Sequence, residues 1–65
     1  MDTKKLTTKE IQIAGQAAHD AYYSDGYEAG RKIADQLQSQ MILRGNTSDD
    51  DKDTFKNATS YSWNE

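Results

Sequence analysis

From Thr8 to Arg44 the apolar residues recur at helical spacing, and one short polar break, Ser24-Asp25-Gly26, divides the run in two. Ile11, Ala14, Ala18, Ala21 and Tyr22 share one face of the first half. Ala29, Ile33, Leu37 and Met41 share a face of the second, with Gly30 and Ala34 beside it. At about 100° per residue the second stripe is turned from the first by roughly a quarter turn or more. A straight helix would therefore present two apolar faces pointing in different directions. The spacing predicts an all-α fold with two helices, about 8–24 and 26–44, folded back as a helical hairpin at Asp25-Gly26. One long bent helix is the alternative, because a single glycine costs only about 1 kcal/mol against alanine.

The ends of these helices are written locally. Thr7 and Glu10 have capping-box spacing, in which each side chain satisfies the other's exposed backbone N–H. Leu6 and Ile11 flank that start as a hydrophobic staple, and residues 1–5 before it are expected to fray. Asp25 and Glu28 offer a second capping box at the break. Arg44 suits the negative end of a helix, and Gly45-Asn46 follows as a stop.

Beyond Gly45 the composition changes. Residues 46–65 hold five acids and two bases, while acids and bases balance in residues 1–45. The whole formal net charge of −3 thus belongs to the last twenty residues. The chain divides into a helical body, 1–45, and an acidic C-terminal segment, 46–65. Two readings of that segment stand side by side. Ser48 caps a short third helix with Asp49, Asp50 and Asp51 in its favourable first turn and Phe55 and Ala58 facing inward, or the segment is a disordered acidic tail.

At 65 residues the chain is a single domain with a thin supply of core. Its large apolar side chains are Leu6, Ile11, Ile13, Ile33, Leu37, Met41, Ile42, Leu43, Phe55 and Trp63, helped by four tyrosines. So little material predicts a homodimer or higher oligomer, or folding completed on a partner. Small residues at four-residue spacing (Ala14, Ala18, Gly26, Gly30, Ala34) would let helix backbones approach closely, within a hairpin or between copies. Tyr22, Tyr23 and Tyr27 cluster at the break, and tyrosine offers a binding surface a large rigid area with one polar handle. The interface expected from these features comprises Tyr22, Tyr23, Tyr27, Gly26, Gly30, Ala18, Ile33 and Leu37.

No pattern specifies a reaction. With no cysteine there is no disulfide framework and no thiolate metal site. His19 is the sole histidine, and its i+3 and i+4 neighbours are Tyr22 and Tyr23 rather than metal ligands. It reads as a surface or hairpin-interface residue. No catalytic set, cofactor site or metal site is predicted. Asp49, Asp51 and Asp53 have the alternation that opens a calcium loop, but Thr54 and Ser60 replace its glycine and closing glutamate. The run Asp49, Asp50, Asp51 and Asp53 is instead a possible contact for a basic partner. Arg31, Lys32 and Arg44 form no basic stripe, which argues against direct nucleic-acid binding. No apolar run approaches the ~18 residues of a membrane span, and no secretory-type segment is visible, so a cytoplasmic protein is expected.

Gly26-Tyr27-Glu28-Ala29-Gly30-Arg31, preceded by aromatics, resembles the G-Y-x-A-G segment of ribosome modulation factor and similar small bacterial and phage proteins. The resemblance covers six of 65 residues. Those proteins are basic and usually carry a Cys-Pro-Tyr element, whereas this chain is acidic and has neither cysteine nor proline. What it implies is association with the ribosome. The reading drawn from the residues themselves is a small, non-catalytic protein that binds and occupies a larger macromolecule. Phage or mobile-element inhibitors of a host defence or transcription component are proteins of this kind. A structural oligomer and a nucleotide-sized ligand binder are the alternatives.

Overall fold

The structure, a computed structural model, describes residues 4–64. It consists of three helices, α1 (Thr8–Asp25), α2 (Tyr27–Leu43) and α3 (Asp49–Thr59). No strand occurs among the described residues. Residues 1–3 of the expected frayed N-terminus lie outside them, as does Glu65.

The start of α1 is the expected one. Thr7 Oγ1 accepts from Glu10 N at 3.1 Å, and Thr7 N donates to Glu10 Oε1 at 2.8 Å, closing the capping box. That hydrogen bond from the Thr7 backbone, seconded by one from the Thr7 side chain, holds the Glu10 carboxyl below its ordinary value; Arg44 adds a smaller pull. Leu6, just before the cap, packs against the core cluster that contains Ile11.

The long helical run does break, and the break is a single residue. Gly26 closes α1 by donating its N–H to Tyr22 O at 3.0 Å and opens α2 at φ 101°, ψ 179°. That backbone region is open essentially to glycine alone. The capping box expected from Asp25 and Glu28 does not form. Asp25 is the last residue of α1, so Gly26 takes the N-cap position of α2 and no side chain caps it. With so short a turn, α2 must run back antiparallel along α1. The far end of the hairpin confirms it, since Arg44 Nη1 donates to Lys4 O at 3.1 Å.

The helical reading of residues 46–65 is the one found, over Asp49–Thr59. Ser48 Oγ accepts from Asp51 N at 3.2 Å, with Asp49, Asp50 and Asp51 in the first turn, where the helix dipole favours acids. α3 lies mainly on α1 and touches α2 little. Phe55 and Thr59 are fully buried, and Gly15 lets the two helices meet: a Cβ there would overlap that of Ala58. The core joins all three helices through Ile11, Ala18, Ala34, Leu37, Met41, Phe55 and Tyr61. Leu6, Ala14, Ile33 and Trp63 pack at its edge.

Two tethers complete the fold. Asn46, 2% exposed in the α2–α3 link, accepts from Leu6 N at 2.8 Å and donates its amide to Leu6 O at 3.0 Å. One side chain thereby pairs with both backbone groups of a residue forty positions away. At the other end Ser60, in the left-handed conformation at φ 64°, turns the chain out of α3 and back across α2. This strap is held by Tyr61 Oη donating to Tyr27 O (2.7 Å) and Arg31 Nη1 donating to Ser62 O (3.1 Å). Beyond it, Asn64 N donates to Gln38 Oε1 (3.0 Å), Gln38 Nε2 donates to Asn64 O, and Asn64 Nδ2 donates to Asp35 Oδ1 (3.0 Å). Trp63 stacks edge-on against Phe55, with ring centres 5.3 Å apart.

Candidate functional site

The turn end of the hairpin carries the tyrosines. Tyr22 and Tyr23 end α1 and Tyr27 begins α2, so the one-residue turn at Gly26 gathers all three rings into one cluster. Tyr22 makes perpendicular contacts with Tyr23, Tyr27 and Tyr61 at 5.3, 6.5 and 6.2 Å between centres. His19 meets Tyr23 edge-on at 4.9 Å, extending the cluster along α1. Edge-to-face contacts of this kind are the arrangement that the ring quadrupoles favour.

Exposure divides the cluster. Tyr22, Tyr23 and Tyr27 are 43%, 75% and 61% exposed, whereas Tyr61 is 4% exposed and belongs to the core. Tyr61 is the supporting member. Its hydroxyl lies over Gly30, where any Cβ would overlap it and come 2.8 Å from the Ala18 carbonyl oxygen. Desolvation is the main cause of its raised pKa; the neighbouring Tyr27 and Tyr22 add to it, while Arg31 opposes. The Arg31 guanidinium lies 5.7 Å from the ring centre of Tyr61 and pairs with Asp35 Oδ1 at 3.1 Å. Between Tyr22, Tyr27, Ser60 and Tyr61 lies an indentation of about 250 Å³. Nothing in the sequence around Tyr61 distinguishes its role from that of the other three tyrosines; it depends on a strap that closes only in three dimensions.

The other residues of the expected interface are placed differently. Gly26 is exposed at the turn, but Ala18 and Gly30 are buried between α1, α2 and Tyr61, and Leu37 is 6% exposed. The small size of Ala18 and Gly30 serves the hairpin itself. Ile33 is partly buried and lines a second surface, an open groove of about 400 Å³ along α1 and α2. Leu6, Ala14, Ala17, Ile33 and Leu37 give it an apolar floor, with Glu10, Gln36, Gln40 and Arg44 on its edges. Asp49, Asp50, Asp51 and Asp53 sit at the start of α3, and its last turn reaches the tyrosine end, where Ser60 Oγ stands 3.1 Å from His19 Nδ1. The acids are therefore not part of the tyrosine surface.

A third depression, about 350 Å³ and polar, runs between α1 and α3 and is lined by Gln12, Gln16, His19, Thr54, Asn57 and Ala58. Among the described residues no group of three or more His, Cys, Asp or Glu side chains is arranged to hold a metal ion. No helix among them is long and apolar enough to cross a membrane. Compared with known protein families, curated proteins and solved structures, the chain matches none.

Proposed function

We propose that this is a non-catalytic binding protein that acts by occupying a larger macromolecule, with Tyr22, Tyr23 and Tyr27 as its contact surface. The observation that carries the reading is the exposure of three clustered, mutually oriented tyrosines on a chain otherwise short of large side chains. Tyrosine at the centre of an interface loses little entropy on binding and buries much area, which is why such residues dominate binding energy. The buried Tyr61 and the Gly26 turn hold the surface rigid, so little ordering cost falls on the binding step. The indentation beside Tyr27 has room for one inserted side chain of the partner. An inhibitor or modulator of a host component, encoded by a phage or mobile element, is the kind of protein this describes.

The test is site-specific photo-crosslinking in lysate of the source cell, with the probe at position 23 and a control probe at exposed Ser39 on α2. A discrete cross-linked protein is expected from position 23 alone, and Tyr27→Ala should weaken that complex by about 2 kcal/mol, the scale of an interface hot spot. Equal capture from both positions, or turnover of a substrate by the purified chain, would overturn the proposal. The polar depression beside His19 supports a second reading, a binder of small polar ligands, which a nucleoside-induced thermal shift abolished by Gln12→Ala and Asn57→Ala would favour.

A further inference from the structure

We propose that the apolar groove along α1 and α2, on a face separate from the tyrosines, is filled by the same groove of a second copy, giving a four-helix homodimer whose two-fold axis runs parallel to the helices. Three observations lead there. Ala14, Ala17, Ile33 and Leu37 line the groove, and α3, packed mainly on α1, leaves it open. Ile13 and Leu43, 64% and 73% exposed, stand beside it: Ile13 one turn before Ala17, and Leu43 three residues after Gln40. Apolar side chains of that size flanking an apolar groove are what a helical seam covers.

Charge selects the occupant. On the α1 side Glu10 lines the groove and Asp20, whose carboxylate accepts from Gln16 Nε2 at 3.0 Å, lies three residues beyond Ala17, with Lys9 one turn before Ile13; on the α2 side Arg44 lines the groove and Lys32 lies one turn before Gln36. Asp20 and Lys32 each stand six residues from Gly26, so they are level with one another, while Glu10 and Arg44 share the opposite end. Rotation about an axis along the groove exchanges its two sides without exchanging its ends. Each α1 then faces the partner's α2, Asp20 faces Lys32 of the partner subunit, and Glu10 faces Arg44 of the partner subunit, each pair occurring twice. An axis across the groove would instead set α1 on α1, acid against acid. The apolar strip meets its like while Glu10, Asp20, Lys32 and Arg44 each meet an opposite charge, which is the self-complementarity a two-fold interface requires.

Asp20→Lys and Lys32→Glu test both the dimer and its axis, since both side chains are exposed and neither belongs to the core. By sedimentation equilibrium the wild type is expected at twice the 7.3 kDa chain mass. Each variant alone should dissociate about tenfold more readily, the effect of turning two exposed attractive pairs into repulsive ones. Mixed in equal amounts they should recover the dimer as a heterodimer. The lysine introduced at position 20 of one chain then meets the glutamate introduced at position 32 of the other, and the unaltered Asp20 meets the unaltered Lys32. Ala17→Glu, which puts a carboxylate into the groove of a chain whose helicity is checked by circular dichroism, should give a monomer. A wild type that stays monomeric at about 100 μM, a folded Ala17→Glu dimer, or single variants that dimerise as well as their mixture would each overturn the proposal. None of these results depends on the tyrosine surface.

Discussion

Asn46 offers the sharpest test of how this small chain is held together. Its side chain pairs both backbone groups of Leu6 with the α2–α3 connection, at 2.8 and 3.0 Å. Asn46→Ala removes both hydrogen bonds and leaves the Leu6 N–H and C=O, which are partly buried, to whatever water reaches them. At about 1 kcal/mol net for each bond the loss is about 2 kcal/mol, rising towards 3 if water is excluded. In a domain of this size, whose whole stability is about 3–5 kcal/mol, that is near half. Thermal unfolding followed by helical circular dichroism should show the midpoint fall by roughly 8–16 °C. Asn46→Asp adds a sign. The carboxylate still accepts from Leu6 N, but it faces the Leu6 carbonyl without a proton to donate, in a site nearly closed to solvent. Its folded pKa must therefore rise above the unfolded value of about 3.9. A raised folded pKa means stability that is full below about pH 3.9 and is lost as pH climbs through the folded value. The Asp variant should thus come closest to wild type below that pH and be much weaker at neutral pH. An Asn46→Ala midpoint within about 2 °C of wild type would refute the reasoning, and so would an Asp variant no weaker at neutral than at acid pH.

Other substitutions probe the close approaches and the cap. Gly15→Ala should destabilise by about 1–3 kcal/mol despite alanine's better helix propensity, because the new methyl meets the Ala58 Cβ, and Ala58→Gly should recover part of the loss in a denaturant double-mutant cycle. Gly30→Ala should expel Tyr61 and loosen the strap, read as a red shift of Trp63 fluorescence as that ring leaves Phe55. Glu10, with its pKa depressed mainly by the Thr7 backbone, contributes stability that is present above its ordinary value of 4.5 and is lost as pH falls through the lower folded value. Glu10→Gln keeps an acceptor for Thr7 N and should flatten the stability profile in that acid window when melts are run across it.

What could be read from the sequence follows the range of the interaction involved. Thr7 with Glu10, Ser48 before three aspartates, and Gly26 between two misaligned stripes are signals whose partners lie close by in the chain, and each marks a helix end. The Asp25–Glu28 box failed on equally local evidence, because Gly26 can close one helix and open the next, leaving Asp25 inside α1. Asn46, Gln38 and Tyr61 were illegible for a different reason. Each acts on a backbone group 26 to 40 residues away, and no short spacing encodes such a meeting. The same difficulty affected the candidate surface. Tyr22, Tyr23 and Tyr27 stand out as a cluster in the sequence, but whether Ala18 and Gly30 face a neighbour or their own hairpin depended on where Tyr61 would land.

The one-residue connection at Gly26 also sets an order of events. Loop-closure entropy is least where the ends to be joined are already adjacent, so α1 and α2 can zip together from the turn outward through contacts close in sequence. α3 and the strap must wait for longer loops to close on a surface the hairpin provides. On that order, weakening Ala14 or Ile33 is expected to slow folding, and weakening Phe55, Tyr61 or Asn46 to hasten unfolding, as read by stopped-flow fluorescence of Trp63. The residues that give this chain its durability are thus those that arrive last.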